Sequence, residues 1–428
     1  MNQLATHPAA RFSGTYTPPG DKSISHRLVM LGALAEGESR FTNFLQAEDC
    51  RRTIEAFRKM GVCFEPSKDK LTVKGIGLNG LSKPAGELDL GNSGTTMRLL
   101  LGILAGQSFE VRLSGDASLC RRPMRRVTAP LRKMGARITG REDANFAPLV
   151  VRGGGLSGIE WVNEMASAQV KSAILLAGLF ADGKTSVSET IPSRDHTERL
   201  FRAFGVSVRQ AEGLTVVEKA KQLHATQFQV PGDFSSAAFL MVAALLIPNS
   251  ELEIRNVGLN PTRIGLYHVL KSMGADIRME LADEHIEPVG HVYVKSSRLK
   301  GIQIDQTMIP SLIDELPILM IACALAEGVS TIRGAQELRI KETDRIHSMA
   351  LGLREIGAKA EEREDGCVIE GIQQFKGGMV NSFGDHRTAM SFLVAGLCSK
   401  TGVTVQDVDC IQTSYPDFSS DLEKLVQG

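Results

Sequence analysis

The chain has 428 residues, with 49 lysines plus arginines against 49 aspartates plus glutamates. That length accommodates about two to four domains, and the charge balance excludes a bulk field drawing in nucleic acid or anionic membrane. With 43% apolar and 23% charged residues, the composition is globular and excludes disorder as the main state.

The amino-terminal MNQLATHPAARFSG has neither a basic start nor an apolar run, so export is not expected and the cytoplasm is the expected compartment. A strand is predicted over FSGTYTPP. From there one pattern recurs six times: polar cap, apolar helix, small-residue stop, β-rich run and amphipathic helix, usually closed by M-G, F-G or I-G. The first copy runs from PPGDKSISHRLVMLGALAEGES to Gly61 and the second from GNSGTTMRLLLGILAGQS to Gly135. The third begins at ASAQVKSAILLAGLFADGKT and ends at Gly205, and the fourth runs from VPGDFSSAAFLMVAALLIPNSE to Gly274. Copies five and six start near IDELPILMIACALAEGVS and SFGDHRTAMSFLVAGL. Starts lie about 70–80 residues apart, which suits a small layered subdomain rather than a solenoid unit.

The first helix of each copy is apolar on all sides and must be buried, whereas DCRRTIEAFRKMG and KETDRIHSMALGLREIG mix charge with apolar residues as outer helices do. Runs such as FEVRL, LEIRNV, KLTVKG and HVYVKS are predicted strands. Each copy therefore reads as βαβαββ. Helices buried on all sides require several copies to cluster with helices inside and sheets outside, and six copies suggest two lobes of three. The paired P-G-D sequences at Pro19-Gly20-Asp21 and Pro231-Gly232-Asp233 mark the crossings. Residues 1–20 are expected to join 231–428 in one lobe, with 21–230 forming the other. The longest apolar stretches, such as Ala237 to Pro248, fall short of the roughly 20 residues of a membrane span.

Two motif matches fail on context. Gly75-Ile-Gly77-Leu-Asn-Gly80 fits a dinucleotide fingerprint, but Pro84 and Gly86 stand where its helix is required. Gly178 to Thr185 fits a phosphate loop, but an apolar helix precedes it and a β-rich run follows, the reverse of that loop's order. The seven cysteines contain no C-x-x-C pair and the nine histidines no H-E-x-x-H spacing, so neither a disulfide framework nor a metal site is expected.

Chemistry concentrates at the starts of the buried helices. Lys22, Ser23 and Arg27; Asn92, Ser93, Gly94, Thr95 and Arg98; Ser167, Gln169 and Lys171; and His386 with Arg387 all sit there. Serine and asparagine at such places cap helices, but cations there are unfavourable unless an anion offsets them. Convergent helix starts would make an anion site. Arg121 to Arg126, Arg194 and Lys341 to Arg345 add further cations. The RRPMRR patch is short and lacks interleaved aromatics, which argues for small anionic substrates over nucleic acid. Asp314 opens the fifth buried helix, as a cap or as an acid/base group, and Glu342 reads as a helix-surface pair or an acid/base group.

In the order DKSISHR, GNSGTTMR, CRRPMRR, SAQVKS, RDHTER, KETDR and GDHR, the chain closely resembles the 5-enolpyruvylshikimate-3-phosphate synthase family, along nearly its whole length. RDHTE and the NPTR of Asn260 to Arg263 resemble that family's second class. The resemblance implies an α/β (α+β), two-lobed, inside-out α/β barrel. Each lobe would set three βαβαββ repeats around buried parallel helices, with hinge crossings near 20 and 231. It implies transfer of the enolpyruvyl group from phosphoenolpyruvate to the 5-hydroxyl of shikimate 3-phosphate, with lobe closure, no metal and no organic cofactor. Lys22, Ser23, Arg27, Ser167, Gln169, Arg194, Asp314 and Lys341 would bind shikimate 3-phosphate. Lys22, Gly94, Arg122, Gln169, Arg345 and Arg387 would bind phosphoenolpyruvate. Asp314, Glu342 and Lys22 would carry the catalysis, with Asp314 taking the hydroxyl proton and Glu342 exchanging one with the methylene carbon. A cytoplasmic monomer without nucleic-acid or membrane partners is implied. Glu337 and Thr413 depart from the family pattern, standing where some members carry an asparagine and a lysine. UDP-N-acetylglucosamine enolpyruvyl transferase shares the repeat, but its loop cysteine position is Ala117 here. A noncatalytic anion-binding protein of the same fold is a third reading.

Overall fold

In the computed structural model, which describes residues 2–427, the six apolar runs form the helices Lys22–Leu34, Gly94–Ala105, Ala168–Gly178, Phe234–Leu246, Leu316–Ala324 and His386–Leu397. All nine residues of Leu316–Ala324 are buried. Its stability therefore comes from packing on every side rather than from an amphipathic stripe. Asp21, Ser93, Asp233 and Asp385 cap four of these helices by accepting bonds from first-turn N–H groups. The charged runs form the amphipathic helices Glu48–Arg58, Arg125–Lys133, His196–Ala203, Gly265–Ser272 and Arg345–Glu355. The chain reverses after them at glycines such as Gly61 (φ 97°) and Gly274 (φ 94°), a left-handed conformation that costs glycine little.

The chain separates into two compact units, Gly20–Val230 and a discontinuous unit formed by the chain up to Pro19 with Pro231 onward. Gly20 falls in the first of these, one residue from the expected boundary.

In Gly20–Val230 three sheets flank the three buried helices, and each follows one plan. Leu88–Asp89 pairs parallel with Glu110–Ser114 across the helix Gly94–Ala105, and a hairpin of Phe146–Arg152 and Arg137–Gly140 extends the sheet. Glu160–Val162 and Lys184–Ser188 repeat this arrangement around Ala168–Gly178, extended by Leu214–Glu218 and Val208–Ala211. For the helix Lys22–Leu34 the parallel edge comes from the far end of the unit: Gln227–Gln229 pairs with Ala35–Thr42. The helices approach closely where side chains are absent. A Cβ on Gly102 would stand 2.2 Å from the Ala173 carbonyl oxygen of the neighbouring helix.

The discontinuous unit has the same plan and the same device. Arg11–Tyr16 pairs parallel with Glu251–Gly258, supplying from the chain's start the edge strand that serves the helix Phe234–Leu246. Gln303–Ile304 with Val329–Ile332, and Gly378–Asn381 with Val403–Gln406, complete the parallel pairs around the other two helices. The sixth copy lacks its hairpin, and Gln3–Thr6 pairs antiparallel with Val403–Gln406 in that place. The two rejected motifs sit as expected. Gly75 lies in the strand Lys70–Ile76 with no helix after it, and Gly178 ends a helix that leads into the strand Lys184–Ser188. Among the described residues, no helix is long and apolar enough to cross a membrane.

Candidate active site

In the unit Gly20–Val230, polar side chains cross-link the first turns of the three buried helices. Arg27, 4% exposed, donates from Nε to Thr197 Oγ1 at 2.7 Å, from Nη1 to the Ser23 carbonyl at 2.8 Å and from Nη2 to Ser172 Oγ at 2.7 Å. Lys22 Nζ meets Asp49 Oδ2 at 3.0 Å, with the two side chains 15% and 13% exposed. Gln169 accepts from Arg98 Nη1 at 2.9 Å and donates to Thr95 Oγ1 at 3.0 Å. Buried Arg122 donates to the Asn92 carbonyl at 3.2 Å and Ser118 Oγ at 3.3 Å, and also to Asn92 Oδ1. Gly94 leaves these guanidinium groups room: its Cβ would stand 2.9 Å from Arg98 Nη1 and 3.1 Å from Arg122 Nη1.

Ser167 precedes the helix Ala168–Gly178, and its carbonyl accepts a bond from Asn163 Nδ2 at 3.1 Å. Half-buried Arg194 lies between the strand Lys184–Ser188 and the helix His196–Ala203. Beneath this face runs a buried chain in which His26 Nδ1 meets Thr53 Oγ1, Thr53 meets Thr96 and Thr96 meets Ser93, each at 2.7 Å. Burial, then the positive charges of Lys22 and Arg27, hold the His26 imidazole well below its ordinary pKa, so it is neutral.

The discontinuous unit gathers carboxylates and guanidinium groups. Arg345, 1% exposed, donates from Nε to Asp385 Oδ2 at 2.7 Å and from Nη2 to Glu342 Oε2 at 2.5 Å. Burial opposes its charge, but Asp385, Glu342 and Asp314 outweigh burial and raise its pKa further. Asp314 stands 3.7 Å from Arg263, 3.6 Å from Arg345 and 3.7 Å from Arg387, and its carbonyl accepts from Arg387 Nη1 at 2.8 Å. Arg263 also reaches Asp233 Oδ1 at 3.2 Å and Ser235 Oγ at 2.9 Å. Lys341 is half-buried in the same segment as Glu342. Paired carboxylates among fixed arginines can move protons while anions are held.

Three local expectations change. Lys171 is not a cation offered to an anion: it is 3% exposed and paired to Glu189 at 2.8 Å and Glu198 at 2.9 Å, because a buried ammonium must be neutralised locally. Burial alone would lower its pKa, but the two carboxylates outweigh that and raise it. Asp314 does not cap the fifth buried helix. The short helix Ile309–Leu312 precedes it, and Glu315 occupies the cap position without a side-chain cap bond. Glu342 lies ahead of the helix Arg345–Glu355, which Asp344 caps, so its pairing is with buried Arg345 rather than along a helix surface.

Glu337 falls in the 3₁₀ turn Gln336–Ile340, and Thr413 Oγ1 donates to the Cys410 carbonyl at 2.6 Å. Sequence reasoning gave no part to Asn92 and Ser118 in holding Arg122, or to Asp385 and Arg263. Asp385 was signalled only as a residue before an apolar helix, and Arg263 only as the end of NPTR. Among the described residues, no group of histidine, cysteine, aspartate and glutamate is placed to hold a metal ion.

A family model described as EPSP synthase (3-phosphoshikimate 1-carboxyvinyltransferase) matches residues 6–422. The chain is 51% identical to the 3-phosphoshikimate 1-carboxyvinyltransferase of Pelobacter propionicus over 431 residues, covering 100% of both chains. It is 53% identical to that of Pelotomaculum thermopropionicum over 415 residues, 96% of each. A solved structure of EPSP synthase from Acinetobacter baumannii superposes with a TM-score of 0.86 at 44% identity, covering 99% of this chain and 98% of that one.

Proposed function

The chain belongs to the EPSP synthase family, and from that membership we propose how its residues divide the reaction. The reaction is transfer of the enolpyruvyl group from phosphoenolpyruvate to the 5-hydroxyl of shikimate 3-phosphate, with release of phosphate, in aromatic amino acid biosynthesis. In the unit Gly20–Val230, Lys22, Ser23, Arg27, Ser167, Gln169 and Arg194 bind shikimate 3-phosphate, and Lys22, Gly94, Arg122 and Gln169 serve phosphoenolpyruvate. In the discontinuous unit Lys341 and Asp314 serve shikimate 3-phosphate, and Arg345 and Arg387 serve phosphoenolpyruvate.

Addition across the enol double bond needs a proton at the methylene carbon and removal of one from the attacking hydroxyl. Glu342 supplies the first and Asp314 takes the second, giving a tetrahedral intermediate. Elimination then breaks the carbon–oxygen bond to the phosphate, returns a proton from the methyl carbon to Glu342, and the departing phosphate takes up the proton that Asp314 had accepted. Lys22 offsets charge on the departing phosphate. The observation that supports this division is the clustering of guanidinium groups around Asp314 at 3.6–3.7 Å. Those groups surround the carboxylate that would take the hydroxyl proton. Buried free cysteines such as Cys50 and Cys323 suit the reducing cytoplasm, and a monomer there belongs to the same proposal.

The test is phosphate release from phosphoenolpyruvate in EDTA-containing buffer with shikimate 3-phosphate or UDP-N-acetylglucosamine as acceptor. Release with shikimate 3-phosphate alone supports the synthase without a metal. Release with the nucleotide sugar alone selects the sister transferase, and silence with both from folded protein selects a binding protein.

A further inference from the structure

Glu189 follows the strand Lys184–Ser188 and is occupied on both carboxylate oxygens. Oε1 accepts from Asn163 Nδ2 and from Ser193 Oγ, both at 2.6 Å. Oε2 accepts from Lys171 Nζ at 2.8 Å and from the Ser193 N–H at 3.2 Å. The side chain is only 6% exposed, so these charge-assisted bonds act where water does not compete. Each donor ties down a different segment. Asn163 passes the constraint to Ser167, whose carbonyl accepts from the same amide at 3.1 Å. Ser193 immediately precedes Arg194, and its carbonyl also accepts from Lys171 Nζ at 3.2 Å. Lys171 lies on the helix that Ser167 and Gln169 open, and it is held from its other side by Glu198 at 2.9 Å.

We infer that Glu189 is a positioning residue for shikimate 3-phosphate, joining the Ser167 and Arg194 segments into one rigid surface without touching substrate itself. The inference rests on the assignment of Ser167 and Arg194 to that substrate. Its chemistry is specific to a carboxylate. In a glutamine at this place the carbonyl can take one side only. The amide NH₂ then faces either Asn163 Nδ2 or the Lys171 ammonium with the Ser193 N–H, and all of these are donors. Turned one way the amide releases Asn163 and with it the Ser167 segment; turned the other it loses the Lys171 ammonium and the Ser193 N–H and holds the Arg194 segment by the Ser193 hydroxyl alone.

The experiment compares Glu189→Gln, Asn163→Ala and Arg194→Ala in steady-state assays of the full chain, with folding checked by circular dichroism. In Glu189→Gln the KM for shikimate 3-phosphate should rise about tenfold, the factor equivalent to ~1.4 kcal/mol, with kcat and the KM for phosphoenolpyruvate within about twofold. Asn163→Ala, which frees only the Ser167 side, should show a smaller rise in the same constant. A large rise in Arg194→Ala with no change in folded Glu189→Gln overturns the inference and leaves the site reading intact. No change in Arg194→Ala overturns both. A fall in kcat with both KM values unchanged in Glu189→Gln also overturns positioning of this substrate. Should Glu189→Gln not fold, Asn163→Ala decides, since an unchanged KM for shikimate 3-phosphate there refutes the tether.

Discussion

His26→Asn should make the unit Gly20–Val230 less sensitive to acid. The imidazole is fully buried, bonded through Nδ1 to Thr53 at 2.7 Å, and burial with the nearby Lys22 and Arg27 charges lowers its pKa well below 6.5. The sign follows from linkage. Unfolding releases the imidazole to take up a proton as the pH falls through its ordinary value, while the folded form stays neutral. The contribution is thus complete above that value and is lost on acidification. Between about pH 7 and about pH 5 the loss is at most about 2 kcal/mol, the limit for an imidazole that takes up its proton only on unfolding. That is a large part of a typical stability of about 5–15 kcal/mol. Asparagine keeps a polar atom near the Nδ1 position but does not titrate. Trp161 is the sole tryptophan and lies in this unit, so its fluorescence in urea titrations reports the right transition. Wild type should lose more than the variant between the two pH values, by up to about 2 kcal/mol. A wild-type-to-variant difference that is the same at both would refute the assignment of acid sensitivity to this residue.

Asp314→Asn and Glu342→Gln should each lower kcat by about 10²–10⁴-fold with little change in Tm. Near-wild-type turnover in both would remove the acid/base roles proposed for them. Lys22→Ala should weaken both substrates by about tenfold or more, read by calorimetry. Unchanged dissociation constants would take Lys22 out of binding. In Gly94→Ala the new Cβ would stand 2.9 Å from Arg98 Nη1 and 3.1 Å from Arg122 Nη1, so Arg98 must shift and Arg122 must give slightly. The KM for phosphoenolpyruvate should rise about tenfold, and more than that for shikimate 3-phosphate; the opposite order would place Gly94 against the other substrate.

The helices were legible because burial leaves a local signature. A run such as LPILMIACA has no polar face to offer solvent, and in four other copies a preceding Asp or Ser marks where the N–H groups need a partner. Residues 3–6 were harder to read as a strand, since Gln3–Thr6 is defined by pairing with Val403–Gln406, at the far end of the chain. The candidate site divides along the same line. Spacing places Lys22, Arg27 and Lys171 alike on the opening turns of buried helices, and nothing local separates their fates. Tertiary partners do. Lys171 meets Glu189, 18 positions away, and is spent on internal neutralisation. Arg27 donates to two hydroxyls and a carbonyl. Lys22 meets a carboxylate that solvent still reaches. Whether a cation at a helix start serves a ligand or the fold is decided by all the partners tertiary structure brings to it, since even Arg345, assigned to phosphoenolpyruvate, is paired to buried Asp385 at 2.7 Å. Those partners are residues distant in sequence, which hydrophobic period and cap chemistry do not encode.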